Sequence, residues 1–562
     1  MERHGGRLLV ECLAALGARK AFGVPGESYL AVLDALHDTA GRLDFVNARH
    51  EGGAAFMAAA WGKLTGSPGI CMVTRGPGAT NAAIGVHTAM QDSAPMILLV
   101  GQVGRAMRGR EAFQEVDYRA AFGPLAKWAT EIDDPNRIPE TMARAWKTAT
   151  TGRRGPVVVA LPEDVLSGPA MADPLPGPIT YPEPHPDPAA VERAREVLRA
   201  ARRPLILYGG CDWTPAGSAA LQGFAEGSDI PVLAAFRYQD RFDNHSPTFC
   251  GEAGVAMAPL ARRLLTEADT ILAVNARFGE NATDGWTLLD VPTPRQHLIH
   301  VHASEGELGK IYRPEVAIQA GPNAFAAAIA PVRGKWSEWR RAARAEWEAS
   351  FDLPDQPGPV DMGKVAAHLR ETLPEDAIVT NGAGNFAAWS NKFLVYGPKA
   401  RLLAPQSGAM GYGVPAAIAA AVAHPDRQVV CFAGDGDFQM TAQELATAAE
   451  QGARPVILIV NNGTYGTIRA HQERHYPARV SGTAMRRNPD FPAIARAHGL
   501  HGERVEATAD FPAAFRRACL APTGAVLDLA VSEEALTPRA TLSEIRAAAQ
   551  RRWRPRSPQA GR

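Results

Sequence analysis

"FAGDGDFQMTAQELATAAEQGARPVILIVNN", Phe432 to Asn462, is the stretch whose reading decides the fold. The apolar run ending at Gly434-Asp435-Gly436 reads as a buried strand, and "RPVILIVNN" (454–462) reads as the next. Between them, Thr441 and Glu444 spell the Thr-x-x-Glu pattern of a capping box, and Gly452 suits the end of the helix that follows. Strand, helix and strand in this order make two successive parallel strands. Asp435 and Asn462 then stand at their carboxyl ends, where open α/β sheets bind ligands. Gly434 and Gly436 let the backbone approach a phosphate, and the helix start adds positive potential. Asp435, Asn462 and the carbonyl of Thr464 are candidate oxygen ligands. With two phosphate oxygens and a water they complete the octahedron magnesium prefers. The competing reading is a turn aspartate followed by an ordinary Asn-Gly turn.

The same rhythm extends outward in three blocks. Residues 1–170 alternate helical patterns with "GICMVT" (69–74), "PMILLVGQ" (95–102) and "GPVVVALP" (155–162). A proline-dense linker, "GPAMADPLPGPITYPEPHPDP" (168–188), follows. Residues 189–335 carry "RPLILYGG" (203–210), "DTILAVNAR" (269–277) and "HLIHVHA" (297–303). A second linker includes "DLPDQPGP" (352–359). Residues 360–545 then add "DAIVTNG" (376–382) and "QVVCFAGDG" (428–436) to the opening stretch. The expected fold class is α/β, three open parallel-sheet domains. The tail "RRWRPRSPQAGR" (551–562) reads as disordered or loosely attached.

Composition narrows the function. The chain has 562 residues, and 59 basic residues balance 59 acidic ones, which argues against a nucleic-acid binder. None of the six cysteines forms a CxxC pair, so no zinc framework is visible, and Cys71, Cys211 and Cys431 read as reduced core residues. The first residues are too polar for a signal peptide and no apolar run is long enough for a membrane span, so the expected location is cytoplasmic, without a membrane partner.

In "NARHEGGAAFMAAAWG" (47–62), a helix places Glu51 on one face with Ala55 and Ala58. A carboxylate on that small apolar face loses water. Alone, Glu51 also reads as a first-turn glutamate helped by the helix dipole.

GDG, helix, strand and Asn-Asn at this spacing resemble the thiamine diphosphate motif. "RHEGGAAFMA" resembles the segment of those enzymes whose glutamate touches N1′ of the aminopyrimidine. The resemblance implies that Glu51 is that glutamate and supports deprotonation at thiazolium C2. Further blocks, "FGVPGE" (22–27), "TRGPGATN" (74–81), "AMQDSAPM" (89–96), "GREAFQEVD" (109–117) and "GAMGYGVPAAIAA" (408–420), resemble acetohydroxyacid (acetolactate) synthases and their relatives. The resemblance covers residues 5–535. It implies a pyrimidine-binding, a central and a diphosphate-binding domain. It implies a catalytic set of Glu51, Gln114 and Met410, with cofactor contacts from Gly408, Met410, Gly434, Gly436, Asp437 and Asn385, and a metal set of Asp435, Asn462 and Thr464. Lys127 would lie near the site entrance. Glu51 and Asp435 of one site would come from different subunits of a homodimer or homotetramer. The implied chemistry is decarboxylation of a 2-keto acid such as pyruvate and transfer of two carbons to a second carbonyl.

Four places depart from the family pattern. Glu27-Ser28 replaces Gly-Ala, with Arg75 and Arg469 as candidate partners of Glu27. His471 stands where a tryptophan is usual, which implies little selectivity for 2-ketobutyrate over pyruvate as acceptor. Asn385-Phe386 replaces Gln-His. His302 and Ser304 replace two aspartates of flavin-binding members, so FAD is expected to be absent. Substrate identity and a regulatory subunit stay open. Rival readings are a 2-keto acid decarboxylase or aldehyde lyase on this fold, a non-catalytic cofactor-binding paralogue, and a dehydrogenase, against which the missing GxGxxG in the central block argues.

Overall fold

The computed structural model describes residues 3–552. Helix Leu542–Arg552 takes in the first two residues of the expected loose tail, and the rest of that tail lies outside the described residues.

Apolar runs buried on both faces become the central strands of three six-stranded, all-parallel sheets. The first contains β1 (Lys20–Gly23), β2 (Asp44–Asn47), β3 (Gly69–Val73), β4 (Met96–Gln102), β5 (Trp128–Glu131) and β6 (Pro156–Pro162), in the order β2-β1-β3-β4-β6-β5. The second contains β7 (Pro204–Tyr208), β8 (Val232–Ala235), β9 (Phe249–Ala253), β10 (Thr270–Val274), β11 (His297–His302) and β12 (Val316–Gln319), in the order β12-β11-β10-β7-β8-β9. The third contains β13 (Ile378–Asn381), β14 (Arg401–Leu403), β15 (Val429–Gly434), β16 (Val456–Asn461), β17 (His501–Val505) and β18 (Ala525–Ala530), in the order β14-β13-β15-β16-β18-β17. The first and third sheets therefore share one strand order, and the middle sheet differs.

The outer two domains meet through small residues. Every residue from Gly52 to Ala60 in helix Glu51–Thr65 is buried. A Cβ on Gly85 would lie 2.4 Å from the Ala55 Cβ, so the neighbouring helix Pro77–Asp92 approaches without side-chain bulk. On another side, Phe56 meets Tyr412 edge-on at 5.6 Å, just before the buried helix Gly413–Ala423. One hydrophobic cluster runs from the first sheet through these helices into the third. The first linker forms no helix or strand over 169–187, but Glu183 anchors it by accepting from the Ala324 amide at 3.1 Å and from Asn323.

Candidate active site

The Gly434–Gly436 turn behaves as the glycines demand. A Cβ on Gly434 would lie 2.8 Å from the Phe386 ring, and one on Gly436 would lie 2.6 Å from the Tyr465 ring. Asp435 is buried. Its Oδ1 accepts from the Gly436 amide at 3.0 Å, and its Oδ2 accepts from the Gly463 amide at 2.8 Å and from Asn488 Nδ2 at 2.7 Å. Burial pushes its carboxyl up, while these bonds pull it down. Asn488 also donates to Asn461 Oδ1 at 3.0 Å, joining the two strand ends. No motif marked Asn488, because it lies in a loop far along the chain. Asn462 Oδ1 accepts from the Thr464 amide at 3.2 Å.

Asp435, Asn462 and Thr464 line one cavity of about 610 Å³ with Gly434, Gly436, Asp437, Asn385, Gly408, Met410 and His471. Asp437 accepts from the amides of Ala383 (3.0 Å) and Gly411 (2.9 Å), tying together the two loops that flank the cavity. Burial raises its carboxyl to about 7. Asn385 donates to the Leu536 carbonyl at 2.9 Å and holds the C-terminal segment against the site. His471 is exposed on helix Gly466–His475 and stacks with His475 at 6.2 Å.

The capping box does not form. Thr441 Oγ1 donates to the Gly411 carbonyl at 2.8 Å, and Glu444 turns inward, fully buried. Its Oε2 accepts from the Arg49 amide at 3.2 Å and from Thr447 Oγ1 at 2.7 Å. A Cβ on Gly53 would lie 2.3 Å from Glu444 Oε1. A local motif thus serves a long-range contact that seats the helix beginning at Glu51.

Glu51, Glu27 and Gln114 gather at the carboxyl ends of the first sheet. Glu51 opens its helix after an N-cap at His50, whose Nδ1 accepts from the Gly52 amide at 2.9 Å. Its Oε2 accepts from Asn81 Nδ2 at 3.0 Å. Gln114 adopts a left-handed φ of +64° and packs on Gly76, where a Cβ would lie 2.9 Å from its own. Glu27 pairs with Arg75 at 3.0 Å, whereas Arg469 pairs with Glu473 at 3.1 Å. Among the described residues, these three do not line the Asp435 cavity of the same chain.

Lys127 lies at the entry of β5, against the end of a helix. Its ammonium donates to the carbonyls of Thr148 and Thr151 (2.8 Å to the latter), capping the carboxyl end of helix Ile138–Thr150. It does not line the cavity. Burial, aided by Arg153 and Arg154, lowers it to about 8.

At the end of β11, His302 is buried and its Nδ1 accepts from the Ser304 amide at 3.0 Å. It lines a second cavity of about 300 Å³ with Arg153, Asp212 and Arg277. All six cysteines are free, and all but Cys519 are buried.

Three family models match the chain in series. They are the thiamine pyrophosphate enzyme N-terminal TPP binding domain over residues 3–121, the central domain over 191–329, and the C-terminal TPP binding domain over 382–529. The chain belongs to the thiamine pyrophosphate enzyme family. The acetolactate synthase large subunit of Parasynechococcus marenigrum is 34% identical over 94% of this chain and 87% of its own. Isozyme 2 of Escherichia coli is 31% identical over 89% and 91%. The Corynebacterium glutamicum large subunit is 32% identical over 94% and 87%.

The donor set fits the cofactor. The glycine-lined turn has no room for added side chains, and Asp437 Oδ2 is buried without a partner. Among the described residues no three His, Cys, Asp or Glu side chains form a metal cluster. A cation here would rely on Asp435, Asn462, backbone oxygen and the ligand's own phosphates, which suits magnesium.

Proposed function

We propose that this chain is a thiamine diphosphate-dependent carboligase of the acetolactate synthase type, acting on 2-keto acids. The observation that carries the reading is the placement of Asp435 and Asn462 just past the ends of the adjacent strands β15 and β16, along a cavity that Met410 also lines. When bound, thiamine diphosphate supplies the electron sink for loss of carbon dioxide from the donor and transfer of its two-carbon remainder. The chain's residues do the rest. Asp435, Asn462 and the Thr464 carbonyl would hold the magnesium, which would neutralise the diphosphate. The Gly434–Asp437 turn and Asn385 line the cavity and would border the phosphates. Gly408 and Met410 would orient the pyrimidine. Glu51 holds or delivers the proton at the pyrimidine N1′, and Gln114 faces the substrate.

Glu51 and Asp435 occupy separate places in one chain, which supports a homo-oligomer whose second copy completes each site. The end of β11 offers a buried histidine and Ser304 in place of carboxylates, which supports purification without stoichiometric flavin. No helix among the described residues is long and apolar enough to cross a membrane, and we place the enzyme in the cytoplasm. Product analysis after incubation with pyruvate tests the reading. Acetolactate supports it. Acetaldehyde alone, or no turnover by the cofactor-loaded protein, overturns it.

A further inference from the structure

The central domain contributes Phe236, Arg237 and Glu252 to the lining of the Asp435 cavity, and the roles assigned above use none of them. Arg237 follows β8 with a left-handed φ of +64°, a conformation that strains any residue with a side chain. It is only 5% exposed, and its guanidinium stands over the Phe236 ring at 4.8 Å. Nη1 donates to the Pro405 carbonyl, while Nε is buried with no acceptor among the described residues. A guanidinium has five donor hydrogens, so this one keeps capacity unused.

Its neighbours do not absorb that capacity. Glu252 Oε1 accepts from the Arg237 backbone amide at 2.8 Å and makes no ion pair with the guanidinium. Lys392 donates to the carbonyls of Val255 (3.0 Å) and Ala256. Arg237, Glu252 and Lys392 all line the Asp435 cavity, as does Arg474. The cavity lining holds three cations and three carboxylates, Glu252, Asp435 and Asp437, and none of these carboxylates accepts from the Arg237 guanidinium. A planar fork with free donors in a desolvated wall matches a carboxylate.

We propose that Arg237 binds the carboxylate of the acceptor 2-keto acid and so sets acceptor specificity. The inference rests on the carboligase reading. The acceptor fits better than the donor for a physical reason. The donor's carboxylate leaves as carbon dioxide, so a strong charge-assisted bond to it would stabilise the ground state and slow the reaction. The acceptor's carboxylate keeps its charge throughout.

The test uses the thiamine diphosphate- and magnesium-loaded enzyme as wild type, Arg237→Met and Arg237→Lys. With saturating pyruvate as donor, kcat/KM is compared for 2-ketobutyrate and for propanal, a neutral acceptor of similar length. Arg237→Met should lose about 10- to 100-fold for 2-ketobutyrate, mainly in KM, as expected for a charged hydrogen bond. Propanal should change less than about threefold, and Arg237→Lys should recover part of the loss. Equal losses for both acceptors would mean that Arg237 only props the Pro405 loop, and that overturns the proposal, as does no loss. Calorimetry gives an arm independent of turnover. Oxamate, a non-reacting analogue, should bind Arg237→Met at least tenfold more weakly, while its neutral diamide binds both proteins alike. Unchanged oxamate affinity refutes the role. Wild type that makes no ligation product sinks the carboligase reading, and the oxamate comparison then still decides Arg237.

Discussion

Asp92→Asn removes a charge from the joint between the outer domains, and the structure fixes what that costs. Lys63 Nζ donates to Asp92 Oδ2 at 3.1 Å and to the Ala404 carbonyl at 2.6 Å. The two side chains are 0% and 2% exposed. Asp92 Oδ1 accepts from the Gln406 amide at 2.6 Å. Asparagine keeps the shape but leaves the ammonium buried against neutral groups, so the loss should be about 3–5 kcal/mol. Lys63→Met should cost a similar amount by stranding the carboxylate. The double variant, Lys63→Met with Asp92→Asn, strands no charge, so its cost should fall below the sum of the singles by about 1–3 kcal/mol. A chain of three domains does not unfold in one step, so native-state hydrogen exchange in helix Glu51–Thr65 is the assay. Ala404 and Gln406 begin the loop carrying Gly408 and Met410, so cofactor titration of Asp92→Asn should also show weaker binding. A single-variant loss under about 1 kcal/mol, or single costs that add within about 0.5 kcal/mol, would refute the reasoning.

Glu51→Gln should retain cofactor but slow hydrogen–deuterium exchange at the bound thiazolium C2 by about 100-fold or more; an unchanged exchange rate removes Glu51 from the proton path. Asp435→Ala should need much more magnesium and cofactor for activity and recover only in part at excess. Normal cofactor binding by this variant in the presence of a chelator would show that Asp435 is not a metal ligand. Burial lowers His300 to about 4, with the Ala276 carbonyl pulling it up and His302 pushing it down. The unfolded chain therefore takes the proton first, and the stability tied to neutral His300 is full above pH ~6.5 and falls towards pH ~4, with about 2 kcal/mol gone by pH 5. Hydrogen exchange of β10 and β11 at pH 7.5 and 5 should show a smaller acid loss in His300→Gln than in wild type, and equal losses would contradict the assignment.

The central strands were legible because burial on both faces forces continuous apolar runs, as in "PMILLVGQ" and "RPVILIVNN". Short strands such as β1, β2, β8 and β14 leave too few residues to show a period. β18 is longer, but Asp528 interrupts its apolar pattern. That aspartate is buried because Asn461 donates to it at 2.9 Å and Arg504 at 2.7 Å. The shared strand order of the outer sheets was not legible either, since order depends on pairing across the fold.

The same division runs through the site. Asp435 and Asn462 could be read because one βαβ unit places both, so their spacing along the chain is already their geometry. Asn488, in the loop before helix Phe491–Ala497, holds Asp435 and the neighbouring Asn461 from outside that unit. Glu444 shows the converse: its spacing from Thr441 fits a helix cap, yet its carboxylate reaches the Arg49 amide, nearly 400 residues earlier. Burial raises this carboxyl, and the donations from Thr447 Oγ1 and the Arg49 amide offset part of that cost. Arg237 lies beyond both kinds of reading. Its left-handed backbone and unpaired Nε exist only once β8, the Phe236 ring and the Pro405 loop have met. Such a residue is held in place by the fold's long-range contacts, so acceptor choice can change without disturbing the local motif that holds the cofactor.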